Sequence, residues 1–201
     1  SRNLYQYAAE LEGQGKTEDD LAYLRDVPEF HNVLLVEQPN DDFAHTIARH
    51  FLYDAYNFYF QQKLCESKDE RLAAIAEKSL KEVAYHLRWT SEWVIRLGDG
   101  TTESHDRMQE AINDLWSFRG ELLIPADYET EAVKAGYGVD LLSIKADVEQ
   151  KIFEILDAAT LIRPADGWMQ SGGKTGRHSE HLGFILAEMQ FLQRAYPNSA
   201  W

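Results

Sequence analysis

Leu4, Tyr7, Ala8 and Leu11 fall on one helical stripe within the first dozen residues. Apolar side chains then keep returning at steps of three and four along the chain, and no segment alternates apolar with polar. The pattern predicts an all-α protein. Helical spacing is already under way over residues 1–11 with no initiator Met or cap before it, so a segment preceding these 201 residues is expected. After Gly13 and Gly15, Thr17-Glu18-Asp19-Asp20 reads as a capping box that opens a short helix ending before Pro28. A second short apolar helix is predicted over residues 30–36, stopped by Glu37-Gln38-Pro39-Asn40. Asp41 or Asp42 opens a long helix to about residue 66. Another runs from about 69 to 97 and stops at Gly98-Asp99-Gly100, so the two form an antiparallel hairpin.

A further element is predicted over about 103–123, with Met108, Ala111, Leu115, Phe118 and Leu122 inward and Pro125 closing it. Asp140 caps a helix to Leu161 whose stripe is Leu141, Ile144, Val148, Ile152, Ile155 and Ala159. The last helix covers 179–196, with Leu182, Ile185, Leu186, Met189 and Leu192 inward and Pro197 as its stop. No linker rich in Gly, Ser or Pro divides the chain, and its length suits one domain, 1–201.

Charge narrows the function classes. Twenty basic residues against thirty-four acidic ones give a net charge of −14, which repels phosphate backbones and anionic lipid. Nucleic acid is not an expected partner. Cys65 is the lone cysteine, so no intramolecular disulfide can form and the cytoplasm is the expected compartment. No apolar run approaches the ~20 residues that span a bilayer, and no membrane association is expected.

The chemistry concentrates on the long hairpin. Lys81-Glu82-Val83-Ala84-Tyr85-His86 nearly writes a metal-binding helix. Di-metal carboxylate sites in four-helix bundles take Glu and His three residues apart, because i and i+3 project together into the core. Three residues before His86 stands Val83, which cannot bind a metal. Glu82, four residues back, still shares a face with His86. Two readings stay open: a displaced ligand pair, or a site that has lost its metal. On the preceding helix Phe43, Ile47, Phe51, Asp54 and Phe58 step by four, four, three and four, placing Asp54 in an apolar stripe where a carboxylate requires a partner. The stripe Leu72, Ala76, Ser79, Val83, His86 and Thr90 turns His86 inward as well. At about 1.5 Å per residue Asp54 comes level with roughly residue 81, so a network with Glu82 and His86 is in reach while direct contact with His86 is not.

Three further motifs are weighed against plainer readings. His178-Ser179-Glu180-His181 could hold a divalent cation, but Ser179 and Glu180 also suit the start of the last helix. Gly172-Gly173-Lys174-Thr175-Gly176 fails the phosphate-loop pattern, because Trp168 stands where the first glycine is required. It reads as a turn. Residues 51–60 are aromatic nearly all round their helix, which makes it either central to the fold or covered by another chain; Tyr53, Tyr56, Tyr59 and Phe60 are the interface candidates.

A family resemblance joins these features. Leu34-Leu35-Val36-Glu37-Gln38-Pro39-Asn40 with Phe43-Ala44 and Thr46-Ile47-Ala48-Arg49, Lys81-Glu82 with Tyr85-His86-Leu87-Arg88, and Gly172-Gly173-Lys174-Thr175-Gly176-Arg177-His178-Ser179-Glu180-His181-Leu182-Gly183 through Leu186-Ala187-Glu188-Met189-Gln190 to Trp201 resemble the C-subunit family of phenylacetyl-CoA epoxidase. The resemblance implies a ferritin-like four-helix bundle with additional C-terminal helices, and a family N-terminal helix missing from these residues. It implies a structural subunit that binds no cofactor itself and catalyses nothing. The related catalytic partner would carry the di-iron centre that oxygenates phenylacetyl-CoA, with electrons from an NADPH-dependent reductase. His86 matches a ligand position of the catalytic paralogue and Val83 departs from its Glu, so Asp54, Glu82, Val83 and His86 are vestigial-site candidates. A hetero-oligomer is expected, with a homodimer as the alternative for the isolated chain. The competing function is a self-sufficient di-metal carboxylate oxidase using Asp54, Glu82 and His86.

Overall fold

A computed structural model describes residues 2–196 and Ser199. The expected stop at Pro197 and the terminal Trp201 lie outside the described residues. The helices are α1 (Arg2–Glu12), α2 (Glu18–Tyr23), α3 (Phe43–Leu64), α4 (Glu70–Gly98), α5 (Thr102–Leu115), α6 (Asp127–Ala135), α7 (Leu141–Ala158) and α8 (Glu180–Ala195), with no strand among the described residues. The chain forms two compact units, Val33–Ser171 and Ser1–Asn32 with Gly172–Trp201.

The larger unit is the ferritin-like bundle. Three of its helices start where acidic side chains satisfy the free amides of a first turn: Asp42 accepts from His45, Asp69 from Arg71 and Leu72, and Asp140 from Leu142. α3 packs on α4, α5 and α7, and α4 also touches α5 and α7. Ile47, Phe51 and Leu52 of α3, Met108 and Ile112 of α5, and Ile144, Ile152 and Leu156 of α7 are essentially sealed from solvent. Each such side chain contributes about 1.5–3 kcal/mol. Gly98 ends α4 where a Cβ would come within 2.4 Å of the Ala159 carbonyl oxygen, so only glycine fits that close approach.

Two predicted elements change form and one element was not predicted. Residues 30–36 are not a helix: 3-10 turns occupy Val27–Glu29 and Leu34–Glu37, and Phe30 is extended. Phe30 is buried with Leu182 and Leu186, whereas Val33 and Leu35 belong to the bundle core, so this run is divided between two cores and no single helical face serves it. The predicted helix over 103–123 stops being α-helical at Leu115 and continues as 3-10 turns Trp116–Phe118 and Gly120–Leu123. There the Ser117 carbonyl accepts from the Gln170 amide at 2.8 Å, and buried Arg119 lies over the Trp116 ring while pairing with Asp166. The backbone leaves the α-helix to meet residues 166–170. α6 is new, opened by a Glu129 carboxylate that accepts from the Ala126 amide and closed by Gly136 at φ 87°.

In the smaller unit the Thr17–Asp20 capping box forms as expected. Leu182 and Leu186 of α8 pack with Phe30 and Val27. Ile185, Met189 and Leu192, also expected inward, are 41%, 40% and 46% exposed. What α8 meets within this unit is short, α2 and the turn at 27–29, and covers only one side of its apolar surface.

Candidate functional site

α3 and α4 carry the residues on which any metal chemistry would depend. Asp54 is 4% exposed and accepts a hydrogen bond from Thr90 Oγ1 at 3.2 Å. The same hydroxyl lies 2.9 Å from the His86 carbonyl and 3.3 Å from that of Leu87, so one hydrogen is shared among three acceptors. Burial pushes the Asp54 carboxyl up to about 6, against the Thr90 bond and the charge of His86, which favour the carboxylate. The contact lies about nine residues further along α4 than the level reckoned from the hairpin turn. That level takes both helices to start even at the turn, whereas the Asp54–Thr90 bond shows α4 shifted along α3 by about two and a half turns.

His86 does not face inward. It is exposed, as are Glu82 and Lys81, while Val83 is buried. The inward stripe of α4 passes through Val83, Leu87, Thr90 and Val94, leaving His86 at its margin. The structure therefore pairs Asp54 with Thr90 and places Glu82 and His86 outside the core they were expected to join. Among the described residues no group of three His, Cys, Asp or Glu side chains is arranged to hold a metal ion. A di-iron centre needs several anionic oxygens converging with imidazole, and these residues do not supply that set.

The aromatic segment of α3 is largely internal. Tyr56 is buried; Tyr53, Tyr59 and Phe60 are half-buried and pack against the bundle core. The Tyr53, Tyr56 and Phe60 rings meet in tilted contacts, with centroids 6.1 Å apart for Tyr53–Tyr56 and 5.5 Å for Tyr56–Phe60. Burial, together with Glu129 and the phenols of Tyr53 and Tyr128, holds the Tyr56 hydroxyl well above its ordinary range. Tyr128 is pushed up to about 12 by burial and by Glu129 and Glu121.

Open aromatic surface lies on α4 instead. Tyr85, Trp89 and Trp93 stand at i, i+4 and i+8, Phe43 meets Trp93 edge-on at 5.1 Å, and Arg88 and Arg96 lie over Tyr85 and Trp93. Tyr85, Trp89 and Phe43 are exposed. The four-residue spacing of Tyr85, Trp89 and Trp93 signals this face.

The sequence model for the phenylacetic acid catabolic protein family matches residues 1–201. The chain belongs to that family. It is similar to the C subunit of 1,2-phenylacetyl-CoA epoxidase from Escherichia coli, 46% identical over 201 residues, which are the whole of this chain and 81% of the E. coli protein.

The block that resembled the family's C-terminal signature proves to be a structural clasp within the smaller unit. Gly172–Gly176 forms a turn in which the Gly172 carbonyl accepts from the Thr175 and Arg177 amides, and Lys174 is buried. Gly176, at φ 80°, lies so near Pro28 that a Cβ would fall 2.6 Å from its carbonyl oxygen. His178 Nε2 lies 2.8 Å from the Phe30 carbonyl and His31 Nδ1 lies 3.2 Å from the Lys174 carbonyl. Gln190 and Arg194 of α8 donate to the Arg25 carbonyl. His178 is therefore committed to the backbone, and the turn holds chain rather than phosphate.

Buried Glu37, Glu121 and Arg119 were not anticipated as interior groups. Glu121 accepts from the Leu34 amide at 2.7 Å, tying the family-like Leu34–Glu37 turn to the bundle. Their sequence neighbours, Glu37 before Gln38-Pro39 and Arg119-Gly120-Glu121 beside Leu122, look like loop or helix surface, and nothing in their spacing marks burial.

Proposed function

We propose that this chain is a non-catalytic structural subunit of a multicomponent monooxygenase that epoxidises phenylacetyl-CoA in aerobic phenylacetate breakdown. The di-iron centre sits in a related catalytic subunit that this chain holds and helps to shape, and the complex is cytoplasmic. One observation carries the reading. Where a di-metal bundle would present converging ligands, α4 turns Val83 inward and leaves Glu82 and His86 outside, and Asp54 takes a neutral hydroxyl as its partner. Family membership and the likeness to the C subunit of an epoxidase support the assignment to that complex. Among the described residues no helix is long and apolar enough to cross a membrane.

Within the complex the chain's own residues bind and orient. The Tyr85–Trp89–Trp93 face, with Arg88 and Arg96, has the aromatic and arginine composition of binding hot spots.

Co-expression of the natural chain with the catalytic subunit, followed by metal analysis of each, tests the proposal. A stable complex is expected, with iron following the catalytic subunit and only trace metal on this chain alone. Absence of a complex overturns the structural role. Near-stoichiometric iron or manganese on the isolated chain, lost in His86→Ala, would establish the self-sufficient oxidase instead.

A further inference from the structure

The first turn of α3 holds a histidine with a carboxylate on each ring nitrogen. Nδ1 of His45 lies 2.8 Å from Oδ1 of Asp42, the α3 N-cap, and Nε2 lies 3.3 Å from Oδ2 of Asp114 on α5. The ring is mostly enclosed, its side chain 14% exposed. Asp42 also accepts from the His45 amide, and Arg107 of α5 stands 3.7 Å from its second oxygen while bonding Glu103. Asp41 adds a further negative charge nearby.

A neutral imidazole has one N–H and one lone pair. Between two carboxylates it can satisfy one and must turn its lone pair toward the other. The imidazolium donates to both, and its charge is balanced by Asp42 and Asp114. A cation in the first turn of a helix opposes the macrodipole, so it is the two carboxylates that make it tolerable there.

We propose that His45 is a pH-operated clasp that ties the start of α3 to α5 while its ring is doubly protonated, and gives up one of the two ties when the ring proton leaves. Burial alone would favour the neutral ring, but the bonds to Asp42 and Asp114 outweigh it and raise the His45 pKa above its ordinary value. The sign follows. A group whose pKa is higher in the folded chain stabilises it fully below the unfolded value, about 6.5, and that stabilisation is lost as pH rises through the folded value.

Two measurements on the whole chain decide the matter. Ring-proton NMR should place the His45 pKa above about 6.5, and Asp114→Asn, which alters an exposed carboxylate and leaves α3 untouched, should lower it. Melting curves of wild type and His45→Gln should differ by about 2–4 °C at pH 6, for roughly 1 kcal/mol in a chain of this size, and converge by pH 9. A ring titrating at or below about 6.5 overturns the clasp, and so does a melting difference that is the same at both pH values. If His45→Gln does not fold, the pKa comparison between wild type and Asp114→Asn still decides.

Discussion

Asp54 and His86 interrupt the two facing helices of one hairpin, yet they have opposite fates. Asp54 is sealed in the core against Thr90; His86 stands in solvent one turn before that same threonine. Both were read as inward from stripes with three- and four-residue steps. The difference is the width of the buried face. α3 buries a wide face, with Phe51, Leu52, Asp54, Ala55 and Tyr56 all covered in succession, whereas α4 buries a narrower line through Ala76, Val83, Leu87, Thr90, Ser91, Val94 and Gly98. A polar residue within a wide buried face must be paired, but one at the margin of a narrow buried face is free to face water.

The largest expected effect comes from forcing the outer residues to behave like the inner one. Val83→Glu restores the Glu-x-x-His spacing, but it buries a carboxylate where 6% of a valine is exposed. Since His86 is outside the core, that carboxylate gains no imidazole partner, and a loss of about 3 kcal/mol is expected at pH 7. Chemical denaturation measures the loss, and metal analysis should find no bound iron. A variant as stable as wild type that takes up iron would show that the introduced carboxylate and His86 do converge, and would erase the contrast.

Asp54→Asn works in the opposite direction. When Asp54 is protonated, its O–H can donate to Thr90, whose own hydrogen is then left for the His86 carbonyl; the ionised form competes with that carbonyl for the single hydrogen. An asparagine N–H reproduces the protonated arrangement at every pH. Because burial raises Asp54 from 3.8 to about 6, ionisation costs the folded state stability that is intact below about pH 4, falls between about 4 and 6, and is gone above that. Asp54→Asn is therefore expected to stabilise the protein at pH 7.5 by about 1–3 kcal/mol, with the gain vanishing below about pH 4. Denaturant midpoints across that range provide the check, and destabilisation at pH 7.5 would mean that the carboxylate is held by a favourable charge partner.

The same difference in surroundings explains what was legible in the sequence. Asp42, Asp69 and Asp140 announced their helices because a cap acts on amides two or three residues away, and the whole α7 stripe from Leu141 to Ala159 is buried as its periodicity implied. The α8 stripe is equally regular, but only Leu182 and Leu186 are covered. Periodicity tells which side of a helix is apolar; the partner that covers it lies elsewhere in the chain. The missing inward turn of His86, the break at Leu115 and the burial of Glu121 all depend on such distant contacts. The Asp54–Thr90 bond was half legible: each residue stood on an inward stripe, and only the axial shift of α4 along α3 brought these two together.

The smallest effect is the sharpest test of the outer half of the comparison. His86 is exposed, and the backbone carbonyl it lends to Thr90 survives any change of side chain. Replacing it with alanine removes a solvated ring, slightly improves helix propensity and takes away one charge that favours the Asp54 carboxylate. These contributions are individually small, so His86→Ala should change stability by no more than about 0.5 kcal/mol at pH 7.5. It should also move the Asp54 titration slightly upward, which carboxyl-carbon NMR would detect. A loss of about 2 kcal/mol or more would place the imidazole inside the fold, where the hairpin would again form one polar site instead of a paired interior residue and a solvated surface one.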